Sequence, residues 1–91
     1  MANLFRLEVY TPYRHFLSDM VEYISLNLSD GGKGILANHS PFVAPVQSGI
    51  LRIKTKKGEW RDANISSGIV EVTKIKTVLL VDDAQWLKNE H

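Results

Sequence analysis

Apolar residues recur at every second position in short runs, and turn-forming residues set these runs at a spacing of roughly 8–12 residues. This rhythm limits the fold more than any other feature. Alternate side chains of a strand point to opposite faces, so period two with frequent turns describes half-buried strands. A helix would need apolar residues at i, i+3 and i+4. Residues 4–10 set Phe5, Leu7 and Val9 on one face and Arg6 and Glu8 on the other. Thr11-Pro12 ends this strand, because proline has no ladder donor and holds its predecessor extended. Residues 13–17 read as a second short strand, Ser18-Asp19 as a turn, and residues 20–28 as the next strand.

Ser29-Asp30-Gly31-Gly32-Lys33-Gly34 carries the strongest turn signal, since its glycines permit positive φ. It leads into residues 34–53, GILANHSPFVAPVQSGILRI, on which the chain is centred. There a polar corner, Asn38-His39-Ser40-Pro41, precedes an apolar run at 42–46, and Gln47-Ser48-Gly49 turns the chain into a further strand at 50–55. Lys57-Gly58 predicts a hairpin into residues 59–65, and Ser66-Ser67-Gly68 a further turn. Residues 69–73 place Val70 and Val72 together with Glu71 outside. Residues 77–81 form an unbroken β-branched and leucine run, the pattern of a strand covered on both faces. Asp82-Asp83 begins the exit, and residues 84–91 read as one or two turns of helix or a frayed tail. The expected fold is all-β, a small β-sandwich of about eight to ten short strands.

A chain of 91 residues accommodates one domain, and 44% apolar residues supply one modest core. Eleven basic and ten acidic residues leave a formal charge of +1, which argues against a nucleic-acid binder that works by neutralising phosphates. Lys54, Lys56 and Lys57 read as the solvated rim of a hairpin. The absence of cysteine excludes disulfides and thiolate zinc sites. No apolar run approaches the roughly 20 residues that span a bilayer, and the amino terminus has no signal-peptide core, so no direct membrane insertion is expected.

Chemistry-bearing patterns are weak. The glycine-rich loop lacks the GxxxxGK[ST] spacing and the following helix of a phosphate loop. His15, His39 and His91 are scattered without metal-ligand spacing. A triad can be assembled from Ser40 or Ser67 with His39 and Asp82, but nothing resembles a nucleophile elbow. Asp82 and Asp83 are adjacent and point to opposite faces of a strand. Tyr10, Tyr13, Phe16, Tyr23, Phe42 and Trp60 fit core packing or a protein interface better than base stacking. No catalytic residue, cofactor or metal is expected.

Five strings in order resemble one family: LEVYTP, VEYISL, the glycine-rich loop with GILANHSPFVAPVQSGILRI, SSGIVEV and VLLVDDA. Together they resemble the amino-terminal β-sandwich domain of the epsilon subunit of F-type ATP synthases. The resemblance covers residues 4–84. The chain departs from the family pattern at Ala37-Asn38, Gln47-Ser48, Ser67 and Val81, in the glycine-free stretch 73–76, and in carrying no helical hairpin after the sandwich.

The resemblance implies a sandwich domain at 1–84, with a short tail at 85–91 where the helical domain would begin. It implies a non-catalytic rotor component of the central stalk. This component docks on the gamma subunit, touches the c-ring loops, and helps couple proton flow to ATP synthesis, at the cytoplasmic face of a bacterial inner membrane or the stromal face in a plastid. By motif position Thr11, His39 and Ala44 would face gamma, and Asp30, Gly31, Gly32 and Lys33 would form the loop near the ring. Two other classes stay open, a free-standing sandwich adaptor and a small hydrolase using His39 and a serine.

Overall fold

In β1 (Phe5–Thr11), Phe5, Leu7 and Val9 are buried and Arg6 and Glu8 point away from the core, as the alternation requires. The structure, a computed structural model, describes residues 3–88. Within them the elements after β1 are β2 (Arg14–Leu28), β3 (Gly31–Leu36), β4 (Phe42–Val46), β5 (Gly49–Thr55), β6 (Trp60–Ile65), β7 (Gly68–Val72), β8 (Lys76–Val81) and β9 (Ala84–Trp86).

The long strand β2 builds both sheets. Its first half pairs antiparallel with β1, from Thr11↔Arg14 to Phe5↔Val21. Past an irregularity between Val21 and Tyr23 its second half pairs with β5 on one side and β3 on the other. One sheet therefore runs β2–β1–β8–β7–β4, and the other β3–β2–β5–β6–β9. Leu28, at the end of β2, also bridges Val46 of β4, at the far edge of the first sheet. This bridge closes a circuit of strands around the core. A strand that switches sheets at a bulge is the usual way to make such a corner. Leu7, Val9, Ile24, Leu26, Ile35, Leu51, Ile53, Val70 and Leu79 fill the space between the layers. Among the described residues no buried side-chain polar atom lacks a partner.

Three expectations need correction. Ser18-Asp19 is not a turn. Glu8↔Ser18 and Leu7↔Asp19 are ladder pairs, so the strand runs on and the sheet change comes later. Backbone pairing outweighs the local turn preference of the two residues. The turn at the glycine-rich stretch is only Ser29-Asp30, and Gly31–Leu36 is strand β3. Gly31 has φ 120°, as a glycine turn exit requires. Gly34 serves a different purpose: a Cβ there would lie 2.6 Å from the Tyr23 hydroxyl, so its bare backbone is the bed for the Tyr23 ring.

Finally, Ala84–Trp86 is strand, not helix. It pairs with β6, with Ala84 buried opposite Ile65 and the Leu87 N–H donating to the Asp62 carbonyl at 2.9 Å. One or two helical turns are unstable alone, whereas this strand gains a ladder and an aromatic anchor. Trp86 stacks on Phe16 at 4.6 Å, Arg61 lies over Trp86 at 3.7 Å, and Arg14 lies over Phe16 at 5.2 Å. Arg14 also donates to the Ala84 carbonyl at 2.8 Å. These contacts join the β2 edge of one sheet to the β9 edge of the other. Residues 89–91 of the expected tail, His91 included, lie outside the described residues.

Candidate docking surface

Strand β8 buries Thr77, Leu79 and Val81 on one face only. Its other face carries Val78 and Leu80, and Leu80 is 49% exposed. Among the described residues nothing supplies the expected second cover. The cross-strand register extends this bare face into a row. Leu80 pairs with Tyr10 of β1 on one side and Ile69 of β7 on the other; Ile69 pairs with Pro45 of β4, and Tyr10 with His15 of β2. The row His15–Tyr10–Leu80–Ile69–Pro45 crosses all five strands, about 19 Å at the ordinary strand spacing. Ile69 is 42% exposed, and Val43, two residues from Pro45 on the same face, is 62% exposed. Tyr10 and His15 stack with centroids 4.5 Å apart and planes 12° from parallel, making a flat aromatic end to the row.

A polar shoulder flanks the row. The Glu8 carboxylate accepts from Arg6 Nε at 2.9 Å and from the Tyr10 hydroxyl at 2.9 Å, and Lys76 Nζ lies 3.7 Å away. Arg6 also hydrogen-bonds the Ser18 hydroxyl. The hydrogen bond from Arg6, then that from Tyr10, holds the Glu8 carboxyl below its usual range. The same bond to Glu8 raises the Tyr10 phenol. A depressed carboxyl contributes stability that is complete above its unfolded pKa and disappears as pH falls through the folded value. Thermal midpoints of the native chain and Glu8→Gln should therefore differ at about pH 7 and converge as the pH falls below the usual carboxylate range. A gap constant across that range would show that the carboxylate contributes nothing specific.

The residues singled out from sequence lie around this face rather than on it. Thr11 ends β1, and its hydroxyl accepts from the Tyr13 and Arg14 N–H groups at 3.2 and 3.1 Å, capping the hairpin. Ala44 faces inward, half-buried against the core and paired with Val70; its neighbours Val43 and Pro45 point outward. His39 follows Asn38, a residue at φ 66°; its Nδ1 lies 2.8 Å from the Ser40 carbonyl oxygen, and its ring is 5.3 Å from Phe42. Lys33 sits in β3 opposite Leu26, on the core-facing side of an edge strand, with its ammonium 5.6 Å from the Phe42 ring centre. Lys33 and His39 thus share Phe42, although they were expected on separate surfaces. Asp30 is in the β2–β3 turn, with Gly31 and Gly32 just inside the strand.

The triad residues do not converge. Ser67 adjoins Asp82 (Asp82 N–H to Ser67 carbonyl, 3.4 Å) at the Val46 end of β4, whereas His39 lies beyond its Phe42 end. The strand length between them is about 13 Å. The His39–Ser40 contact uses the carbonyl, not the hydroxyl. Among the described residues no cluster of three His, Asp or Glu could hold a metal.

Sequence reasoning missed Val43, Pro45, Ile69 and Leu80 as surface residues. For Leu80 the signal was visible: apolar side chains occupy both parities of residues 77–81, so one parity must face away from this chain's own core.

Comparison with known proteins concerns the domain as a whole. The family model for "ATP synthase, Delta/Epsilon chain, beta-sandwich domain" matches residues 4–87. The ATP synthase epsilon chain of Caldicellulosiruptor bescii is 49% identical over 82 residues, which is 90% of this chain and 59% of the relative. The chain therefore spans about three-fifths of that relative's length. A chain in the cryo-EM structure of the Euglena gracilis mitochondrial ATP synthase (OSCP, F1 and c-ring, rotational state 1) superposes with TM-score 0.87 at 22% identity, covering 91% of this chain and 53% of that one. A chain in the central stalk and c-ring structure of the Tetrahymena thermophila mitochondrial ATP synthase gives TM-score 0.74 at 18% identity, covering 91% and 66%. These two likenesses concern the fold.

Proposed function

Because the chain belongs to the ATP synthase delta/epsilon β-sandwich family, we propose that it is a non-catalytic component of the central stalk of an F-type ATP synthase. In this reading it docks on the gamma subunit and contacts the c-ring, and so helps couple ion flow to ATP synthesis. The observation that carries the reading is the apolar row across the β2–β1–β8–β7–β4 sheet. Small monomers rarely leave a contiguous apolar face bare, and a stable partner is the ordinary cover. The formal charge of +1 suits association by shape and apolar contact rather than by long-range steering.

Torque transmission calls for a stiff body, and two sheets knitted by one shared strand around a packed core provide it. Gamma would cover the outer face of that sheet, with Thr11, Ala44 and His39 at its margins. The Ser29-Asp30 turn, with Gly31 and Gly32, is the proposed approach to the ring; Lys33, lying on Phe42, contributes there only as a flank. Among the described residues no helix is long and apolar enough to cross a membrane, so membrane association would run through these partners, at the cytoplasmic face in a bacterium.

The test is size-exclusion chromatography of the chain mixed with the gamma subunit from the same source. Co-elution as a one-to-one complex supports the reading. Separate elution of both proteins, repeated with a form extended to the relatives' full length, would overturn it in favour of an adaptor with another partner.

A further inference from the structure

Two carboxylates project from the proposed docking face, and they are held differently. Glu8 has its own cations, Arg6 and Lys76, and a hydroxyl donor in Tyr10. Glu71 is exposed, between Val43 of β4 and Val78 of β8 in the register, next to Ile69 in the adjoining row. Among the described residues it makes no ion pair and no side-chain hydrogen bond. Lys76, on the neighbouring strand, is turned to Glu8. β7 is not an edge strand, because β4 lies outside it with Val43 62% exposed. A partner that reached both Val43 and Leu80 would necessarily cover Glu71.

Free in water, this carboxylate costs nothing. Beneath a purely apolar partner it would be stripped of water without compensation, which is strongly unfavourable. We propose that Glu71 is the specificity-determining residue of the face, admitting only a partner that sets an arginine or lysine within an apolar strip. Arginine suits the position better, since its planar fork matches a carboxylate with two donors and is the more weakly hydrated cation. Glu8 is unsuited to this part because each of its oxygens already accepts a hydrogen bond within the chain and its charge is balanced by Arg6 and Lys76. The inference rests on the gamma-docking reading above and adds the recognition chemistry: one cation on gamma, opposite β7, surrounded by aliphatic contacts.

The experiment is calorimetric titration of the gamma subunit into the native chain, Glu71→Gln, Glu71→Lys and the control Glu59→Gln, at two salt concentrations. Glu59 lies in the β5–β6 turn, away from this face. The expected result is binding weakened at least about tenfold in Glu71→Gln and lost in Glu71→Lys, with Glu59→Gln unchanged. Loss in Glu71→Lys should be reversed by an acidic replacement of one gamma arginine or lysine. Unaltered thermal midpoints establish that both variants fold. Glu71→Gln binding as tightly as the native chain, with the same salt dependence, would overturn the inference and leave the docking reading intact. Failure of the native chain itself to bind would overturn the reading and the inference with it.

Discussion

On the docking proposed above, Leu80→Asp should sharply weaken association with gamma while leaving the domain folded. Leu80 is the midpoint of the apolar row, flanked in register by Tyr10 and Ile69. Central, well-packed apolar anchors dominate interface energies, and truncation of one commonly costs 2 kcal/mol or more. Aspartate does worse than truncation, because it carries an unpaired charge into the centre and stands one residue-pair from Glu71. The expected weakening is at least about 100-fold. The fold should survive, since Leu79 and Val81 hold β8 in the core and Leu80 is 49% exposed. The loss of strand preference should cost about 1 kcal/mol. Titration calorimetry with gamma checks the affinity, and urea denaturation checks the fold. Ile69→Asp should behave alike. Native affinity in both variants would exclude this face from the interface.

Much of the fold was legible because burial follows parity. Phe5, Leu7 and Val9 are buried as their alternation requires, and Val70 and Val72 are buried with Glu71 outside. The polar corner at residues 38–41 lies in the β3–β4 connection, whose turn is at Ala37-Asn38 with Asn38 at positive φ. The illegible parts share one cause: pairing with a distant segment overrode a local preference. Ser18-Asp19 is strand because β1 lies beside it, Gly31–Leu36 because the other half of β2 does, and Ala84–Trp86 because β6 and Phe16 do. None of these partners can be read from a window of a few residues. The candidate surface was half legible. Thr11 and Ala44 were named through family motifs, yet the hydroxyl of one caps a hairpin and the methyl of the other faces the core. Their outward neighbours Tyr10, Val43 and Pro45 form the face, and only the register of four strand pairs joins these to Ile69 and Leu80.

Gly68→Ala should be the most damaging single-methyl change in the chain. Gly68 sits where β7 is squeezed between Val46 of β4 and Val81 of β8. A Cβ at this position would be driven into the Leu80 carbonyl oxygen and would lie 2.8 Å from the Val81 Cα and 2.9 Å from the Leu80 carbonyl carbon. All three are backbone atoms, so no side chain can swing aside; the two strands themselves must part. Nearby turns resist that movement. Asp83 N–H donates to the Ser66 hydroxyl at 2.8 Å, and Ser66 N–H to the Asp83 carbonyl at 3.0 Å, tying the β6–β7 and β8–β9 turns together. The expected loss is about 3 kcal/mol or more, out of the roughly 5–15 kcal/mol typical of a domain. The thermal midpoint should fall by about 12 °C or more. Gly32→Ala is the matched comparison, because a Cβ there meets nothing within 4 Å, and it should change stability by no more than about 0.5 kcal/mol. Equal denaturation midpoints for the two variants would mean that β7 and β8 yield easily at this point. Unequal midpoints would have a consequence for docking as well, since Ile69 and Leu80 follow and precede the clashing residues directly. Strands parted at Gly68 separate the two central side chains of the row, so any Gly68→Ala protein that still folds should also bind gamma weakly.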